Sequence, residues 1–357
     1  METITNSHYF KGRGAQFNPI NKFEKHTYEN TFPEMIDEDF LQAQKTEIIY
    51  SYPKTIINKI ENTDIGLAYS LNPYQGCEHG CVYCYARNTH EYWGYSAGLD
   101  FERKIIVKKN AATLLEKTLS HKNWKPQPIM LSGNTDCYQP IEKELEITRS
   151  ILQVCLKYKH PVSIITKNTL IIRDLDILKE LAALNLVHVM ISLTGNDEKT
   201  RLLLEPRTSS YKNRIEVISK LSKNGIPCGV MVAPIIPGIN HYEIPKVIER
   251  SANAGASSAG ITIVRLNGAV EHIFKDWLVK NFPDRASKVW NQISSCHGGK
   301  VSDSRKSIRL KGQGAIAESI MQLFIVSKEK YIKPKEEFKF EVLNFDYKAG
   351  DKQLSLF

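Results

Sequence analysis

The 357-residue sequence predicts an α/β fold: a partial (βα)6 barrel of the TIM type with a mostly helical C-terminal extension. Two patterns carry that prediction. Short β-branched apolar runs recur from residue 65 onward, and stretches of helical period lie between them. Continuous apolar strands alternating with amphipathic helices mean a parallel sheet covered by its own crossovers. About six such units are too few for a closed eight-stranded barrel and suit an open one, with its chemistry at the C-terminal ends of the strands.

In chain order, residues 1–60 are polar, weakly periodic and dotted with aromatics, and "KGRGAQFNPINKFEKH" reads as an extended arm. The barrel is expected over 61–270. Its first strand falls in "IGLAYSL" (65–71), before a cysteine-rich loop. The others fall in "PIMLSG" (128–133), "VSIITK" (162–167), "VHVMISL" (187–193), "CGVMVAPII" (228–236) and "AGITIVRL" (259–266). Intervening helices are expected in "EKELEITRSILQVCLKY" (142–158), "RDLDILKELAALN" (173–185) and "SYKNRIEVISKLSKNG" (210–225). Residues 271–345 turn mostly helical around a basic segment, "GGKVSDSRKSIRLKGQG", and 346–357 read as a flexible tail ending in an apolar hook.

No apolar run approaches a membrane span, and the first residues lack the basic end and apolar core of a signal peptide. A cytoplasmic protein is expected. Seven cysteines in a chain of this length make no dense disulfide framework, so reduced thiols point to metal binding or catalysis. The net charge of +9 favours a polyanionic partner without naming one.

Cys77, Cys81 and Cys84 follow C-x3-C-x2-C. Thiolates select zinc or iron–sulfur centres. A closed zinc site takes a fourth ligand, which His79 or His90 offers. Three thiolates on a four-iron cluster instead leave one iron open to a substrate or cofactor. With Tyr83 in the aromatic place, the motif resembles that of the radical SAM superfamily, C-x3-C-x-aromatic-C. The resemblance implies a [4Fe-4S] cluster on the three cysteines and S-adenosyl-L-methionine (SAM) on the open iron. One electron, from a donor such as flavodoxin or ferredoxin, then cleaves SAM to methionine and a 5′-deoxyadenosyl radical. It also implies a SAM site. Gly133, Asn134, Thr135 and Asp136 would meet the methionine amino group, Lys167 the carboxylate, Ser192 the carboxylate or ribose, and Ala233 the adenine, with Tyr83 beside the cluster.

"GCVYCYAR", "GNTDCYQPIE", "TKN", "LEPRTSSYKNRIEVISKLSKNGIP" and "APIIPGIN" resemble, in order, the spore photoproduct lyase group and its relatives in non-sporulating bacteria. That group reverses a thymine–thymine adduct in DNA, with a protein cysteine returning a hydrogen and tyrosine assisting. Here Gly133 stands where the lyase carries its donor cysteine, and Cys137 lies four residues on, beside Tyr138. Cys137 is either a displaced donor or a small buried hydrophobe.

In the basic segment Lys300, Arg305, Lys306, Arg309 and Lys311 face a single acid, Asp303, a composition suited to phosphate contacts. The end of the chain, "QLSLF", matches the short motif by which bacterial repair proteins bind the β sliding clamp. Gln353 would supply hydrogen bonds, and Leu354, Leu356 and Phe357 apolar anchors. The sequence therefore predicts a clamp-tethered radical SAM enzyme acting on damaged duplex DNA, repairing a pyrimidine photoproduct or related base lesion. The rivals are radical SAM modification of RNA or protein, and a non-enzymatic clamp-bound iron–sulfur module that binds DNA.

Overall fold

The computed structural model describes residues 10–23, 46–60, 64, 66–333 and 338–350. Its strands are β1 (Glu47–Ser51), β2 (Ile57–Lys59), β3 (Tyr69–Leu71), β4 (Tyr74–Gln75), β5 (Lys104–Lys108), β6 (Ile129–Leu131), β7 (Val162–Thr166), β8 (Val187–Ser192), β9 (Cys228–Ile235) and β10 (Ser258–Ile263). The main sheet has the order β10-β9-β8-β7-β6-β3-β2. From β3 to β10 its pairings are all parallel and follow chain order, which is the partial (βα)6 barrel expected. The antiparallel edge strand β2 was not anticipated. Nor was a second sheet, β1-β5-β4, whose short strand β4 leads directly into the cysteine loop.

The helices are α1 (Leu99–Arg103), α2 (Ala111–Leu119), α3 (Glu142–Leu145), α4 (Ile147–Lys157), α5 (Leu175–Ala183), α6 (Glu198–Leu204), α7 (Tyr211–Lys223), α8 (Ile244–Asn253), α9 (Ala269–Asn281), α10 (Ala286–Ser295) and α11 (Gly314–Tyr331). Apolar faces at helical spacing pack on the sheet: Ile151, Leu152 and Cys155 from α4, and Val217, Ile218 and Leu221 from α7, join Ile164, Val189 and Val230 in one core. The single helix expected over 142–158 is broken at Glu146, which is left-handed with φ 51°. The buried Glu142 carboxylate accepts the Thr148 N–H at 3.0 Å, a donor that an unbroken helix would have turned to a carbonyl.

Residues 10–23 carry no helix or strand and lie against the cysteine loop. The Gly14 and Ala15 N–H groups donate to the Glu102 carboxylate at 3.1 and 2.8 Å. A Cβ on Gly14 would sit 1.8 Å from the Gly80 carbonyl, so only glycine permits this approach. The basic segment folds back on the end of β10, where Ile263 and Leu266 donate to the carbonyls of Leu310 and Val301 at 2.8 and 2.9 Å. Residues 338–350 lie at the other end of the sheet. Glu341 and Asp346 donate to the carbonyls of Asn185 and Tyr158, which stand just before β8 and β7. Of the stretch read as a tail, 346–350 is thus packed, with Ala349 buried. The clamp-like residues Gln353, Leu354, Leu356 and Phe357 lie outside the described residues. Among the described residues no helix is long and apolar enough to cross a membrane.

Candidate active site

The C-terminal ends of the parallel strands surround a cavity of about 610 Å³. The cysteine loop closes one side of it. Gly76, with φ +81°, turns the chain out of β4 at a point where a Cβ would meet the Lys104 carbonyl at 2.9 Å. The loop is then held by Cys77 N–H to the Phe101 carbonyl (2.9 Å) and Val82 N–H to the Leu204 carbonyl (3.1 Å). Arg87 is fully buried beneath it, donating to the Cys81, Ala97 and Gly98 carbonyls and pairing with Glu102. A guanidinium has the fixed fork needed to tie so many loop carbonyls together.

Cys77, Cys81 and Cys84 all line the cavity. Burial pushes the Cys81 thiol up to about 12, and burial with the Asp136 charge pushes Cys77 well above its ordinary value. Thiols placed so are stable as thiolates only against a cation, which suits a soft iron centre. Of the histidines proposed as a fourth zinc ligand, His79 lines the cavity and His90 does not. His79 faces Asp136 (3.4 Å) and Asn168 (3.3 Å), and His90 stands edge-on to Phe101. Among the described residues no group of three or more His, Cys, Asp or Glu converges on a single ion. Thiolates that each take a different iron of one cluster need no such convergence.

The other residues expected around SAM line the same cavity: Tyr83 from the cysteine loop, Gly133, Asn134, Thr135 and Asp136 after β6, Lys167 after β7, Ser192 at the end of β8 and Ala233 within β9. Several are fixed by bonds among themselves. Asp136 accepts from the Thr166 hydroxyl and the Lys167 N–H, each at 2.8 Å, which stitches the ends of β6 and β7 together. Thr135 donates to the Tyr74 carbonyl at 2.7 Å, and the Asn134 amide to Gln75 at 3.1 Å. Tyr83 donates to Glu205, which pairs with fully buried Arg214 at 2.6 Å; Arg214 also donates to the Ser192 carbonyl at 2.9 Å. Burial opposes the Glu205 charge, but Arg214 and Lys167 outweigh it and hold the carboxyl to about 2. Burial likewise opposes the Lys167 charge, and Cys81 and Glu205 outweigh it, so its pKa is raised.

Two expectations need correction. Cys137 and Tyr138 do not line the cavity; both are wholly buried in the main core. The left-handed Ser132 (φ 67°) and the Asp136 tether send the chain under α4. There Thr148 donates to the Cys137 carbonyl at 2.7 Å and Tyr138 donates to Asp174 at 3.1 Å. The five basic residues of 300–311 also differ among themselves. Arg305 is paired with Asp303 (2.6 Å), and Arg309 lines the cavity paired with Asp64 (3.0 Å). Lys300, Lys306 and Lys311 are exposed and have no ion pair among the described residues. Among the cavity residues that the sequence did not single out are Tyr85 and Arg265. Tyr85 directly follows Cys84 and Arg265 ends a predicted strand run, so position alone marked both. Tyr85 donates to the Gly133 carbonyl.

An open parallel barrel with three cysteine thiols at its strand ends is the architecture of an enzyme that works through a bound metal centre. The chain belongs to the radical SAM superfamily, which it matches over residues 71–250, and is therefore a radical SAM enzyme. Members use a [4Fe-4S] cluster and SAM, and the donor set described above fits both. Among similar proteins is an uncharacterized protein of Mycobacterium tuberculosis, 32% identical over 238 residues (66% of this chain, 70% of that protein). Another, from Methanocaldococcus jannaschii, is 30% identical over 250 residues (70% of this chain, 89% of that protein). The solved structure of spore photoproduct lyase complexed with dinucleoside spore photoproduct superposes with a TM-score of 0.56 at 15% identity. It covers 80% of this chain and 79% of that one. At that identity the likeness shows the shared fold.

Proposed function

We propose that this enzyme acts on DNA and repairs a pyrimidine photoproduct or related base lesion in a lyase-like reaction. The observation that carries the reading is one shared opening. The loop bearing exposed Lys300, Lys306 and Lys311 borders the same cavity that the three cysteines line. Similarity in fold to spore photoproduct lyase supports it. Cys77, Cys81 and Cys84 hold the cluster, and the strand-end residues from Gly133 to Ala233 hold SAM. When bound, the reduced cluster and SAM supply a radical that removes a hydrogen atom from the lesion. Asp136 fixes the spacing of the β6 and β7 ends, and the Glu205–Arg214 pair fixes Tyr83 and the Ser192 carbonyl. With Cys137 in the core, Tyr85 stands at the cavity as the side chain whose O–H returns a hydrogen atom, and one electron from the electron donor with one proton from solvent restores the tyrosine.

The reading includes two partners, an electron donor such as flavodoxin or ferredoxin and the β sliding clamp, reached through 353–357. Its test is incubation of reduced, cluster-loaded protein and SAM with UV-irradiated DNA, followed by mass spectrometry of the nucleosides. Loss of a photoproduct with return of thymidine is expected. SAM cleavage with every DNA lesion unchanged would refute the reading, and turnover of tRNA or a peptide in parallel assays would replace it.

A further inference from the structure

Arg265 is a cation in the cavity wall without a carboxylate of its own. Its backbone is clamped on both sides, by Val264 N–H to the Ile235 carbonyl (2.8 Å) and Leu266 N–H to the Val301 carbonyl (2.9 Å). The side chain is half-buried and lines the cavity with Arg309, Tyr85 and the cysteines. The acids around it are taken. Asp303 is held by Arg305 through the Arg305 backbone N–H (2.8 Å) and its guanidinium (2.6 Å). Asp64 accepts from Arg309 and from the Ser307 N–H, each at 3.0 Å. What Arg265 receives, among the described residues, is one backbone carbonyl, that of Asp303, at 3.3 Å. Burial and the neighbouring Arg309 charge both disfavour its protonated form, lowering its pKa. A partly desolvated guanidinium beside a second one costs stability unless an anion completes the site.

We propose that Arg265 grips a backbone phosphate of the nucleic-acid substrate at the cavity mouth and so sets which nucleotide enters. This rests on the DNA reading above. The guanidinium fork matches two phosphate oxygens, and a clamped backbone keeps it aimed at one point. The carboxylate of SAM is the competing anion. It has Lys167, which lines the cavity just after β7, whereas Arg265 follows β10, three strands away in the sheet.

The test uses cluster-loaded full-length protein and a fluorescent, UV-irradiated DNA duplex, read by anisotropy at several salt concentrations. Arg265→Gln should bind about tenfold more weakly and lose about one unit of salt slope. Arg265→Lys should recover the slope but not the full affinity, because it restores the charge without the fork. A duplex with a neutral methylphosphonate at the gripped position should weaken wild type by a similar factor and leave Arg265→Gln indifferent. Wild-type affinity and slope in Arg265→Gln, with the wild-type enzyme binding DNA, would overturn the Arg265 assignment alone. Weaker SAM binding with unaltered DNA binding would overturn it in favour of the cofactor carboxylate. A wild-type enzyme that binds no DNA at all would sink the DNA reading and this assignment together.

Discussion

At His160 the protein carries a titration that works against its own stability in acid. The ring is wholly buried, its Nε2 accepts the Trp124 indole N–H at 3.1 Å, and its Nδ1 lies 3.0 Å from the Pro161 carbonyl. That pairing fits the neutral ring with its proton on Nδ1; a second proton on Nε2 would face a donor. Burial lowers the pKa to about 4. The unfolded chain, with histidine near 6.5, takes up the proton first as pH falls. The contribution is therefore complete above about pH 6.5, declines towards about pH 4, and totals on the order of 3 kcal/mol. Urea unfolding at about pH 7 and about pH 5 should show His160→Gln losing less stability in acid than wild type; equal losses would contradict this. Two further outcomes belong to single residues. Alanine at Cys77, Cys81 or Cys84 should abolish the iron–sulfur absorbance, since each supplies one of three anchors, and retained iron would remove that cysteine from the ligand set. Tyr85→Phe should still cleave SAM and accumulate unquenched or adducted product. Unchanged product would take Tyr85 out of the hydrogen return.

Among elements, the segment 300–313 joins a structural role to a binding one. Its two arginines are both paired, exposed Arg305 with Asp303 of the same segment and Arg309 with the distant Asp64, and the second pair ties the segment to another part of the chain. Its three lysines are left to solvent. Neutralising Lys300, Lys306 and Lys311 together should therefore flatten the salt dependence of DNA binding by up to about three units of slope with little effect on folding. Arg309→Gln should instead lower the melting temperature, because it leaves Asp64 without this partner and loosens the cavity wall. Salt titrations and thermal unfolding of the two variants separate these roles. A stable triple variant with the wild-type slope would exclude the segment from the interface.

On the scale of the whole molecule, the two ends of the barrel are given to different tasks. The cavity opens at the C-terminal ends of the strands, while residues 338–350 pack at the N-terminal ends, where Phe345 meets His160 and Phe338 meets His188. A chain that continues from Gly350 starts on the side away from the cavity. A short flexible tether to a clamp would raise the local DNA concentration to about millimolar without a new base contact. Calorimetric titration of a bacterial β clamp with the peptide "AGDKQLSLF" should give modest affinity carried by Leu356 and Phe357, lost when both are changed to Ala. No heat with the unaltered peptide would end the clamp proposal.

The six parallel strands and their order followed from the sequence, because apolar β-branched runs and helical period are local and each unit packs on its neighbour in the chain. The cysteines and the strand-end residues were legible for a related reason. A short motif and the C-terminal end of a strand both fix a position in the barrel before any contact is known. Contacts between distant segments decided the rest. The sheet β1-β5-β4 pairs Glu47 with Lys104, a match that no local pattern announces. Cys137 and Tyr85 are both short-range neighbours of site residues. Only the left-handed turn at Ser132 and the tether of Asp136 to β7 send the first into the core, while the second stays at the cavity. In the basic segment composition shows charge, but which charge stays free depends on where Asp64, far away in the chain, is brought to meet Arg309. Side-chain type is written locally; its partner is chosen by the fold.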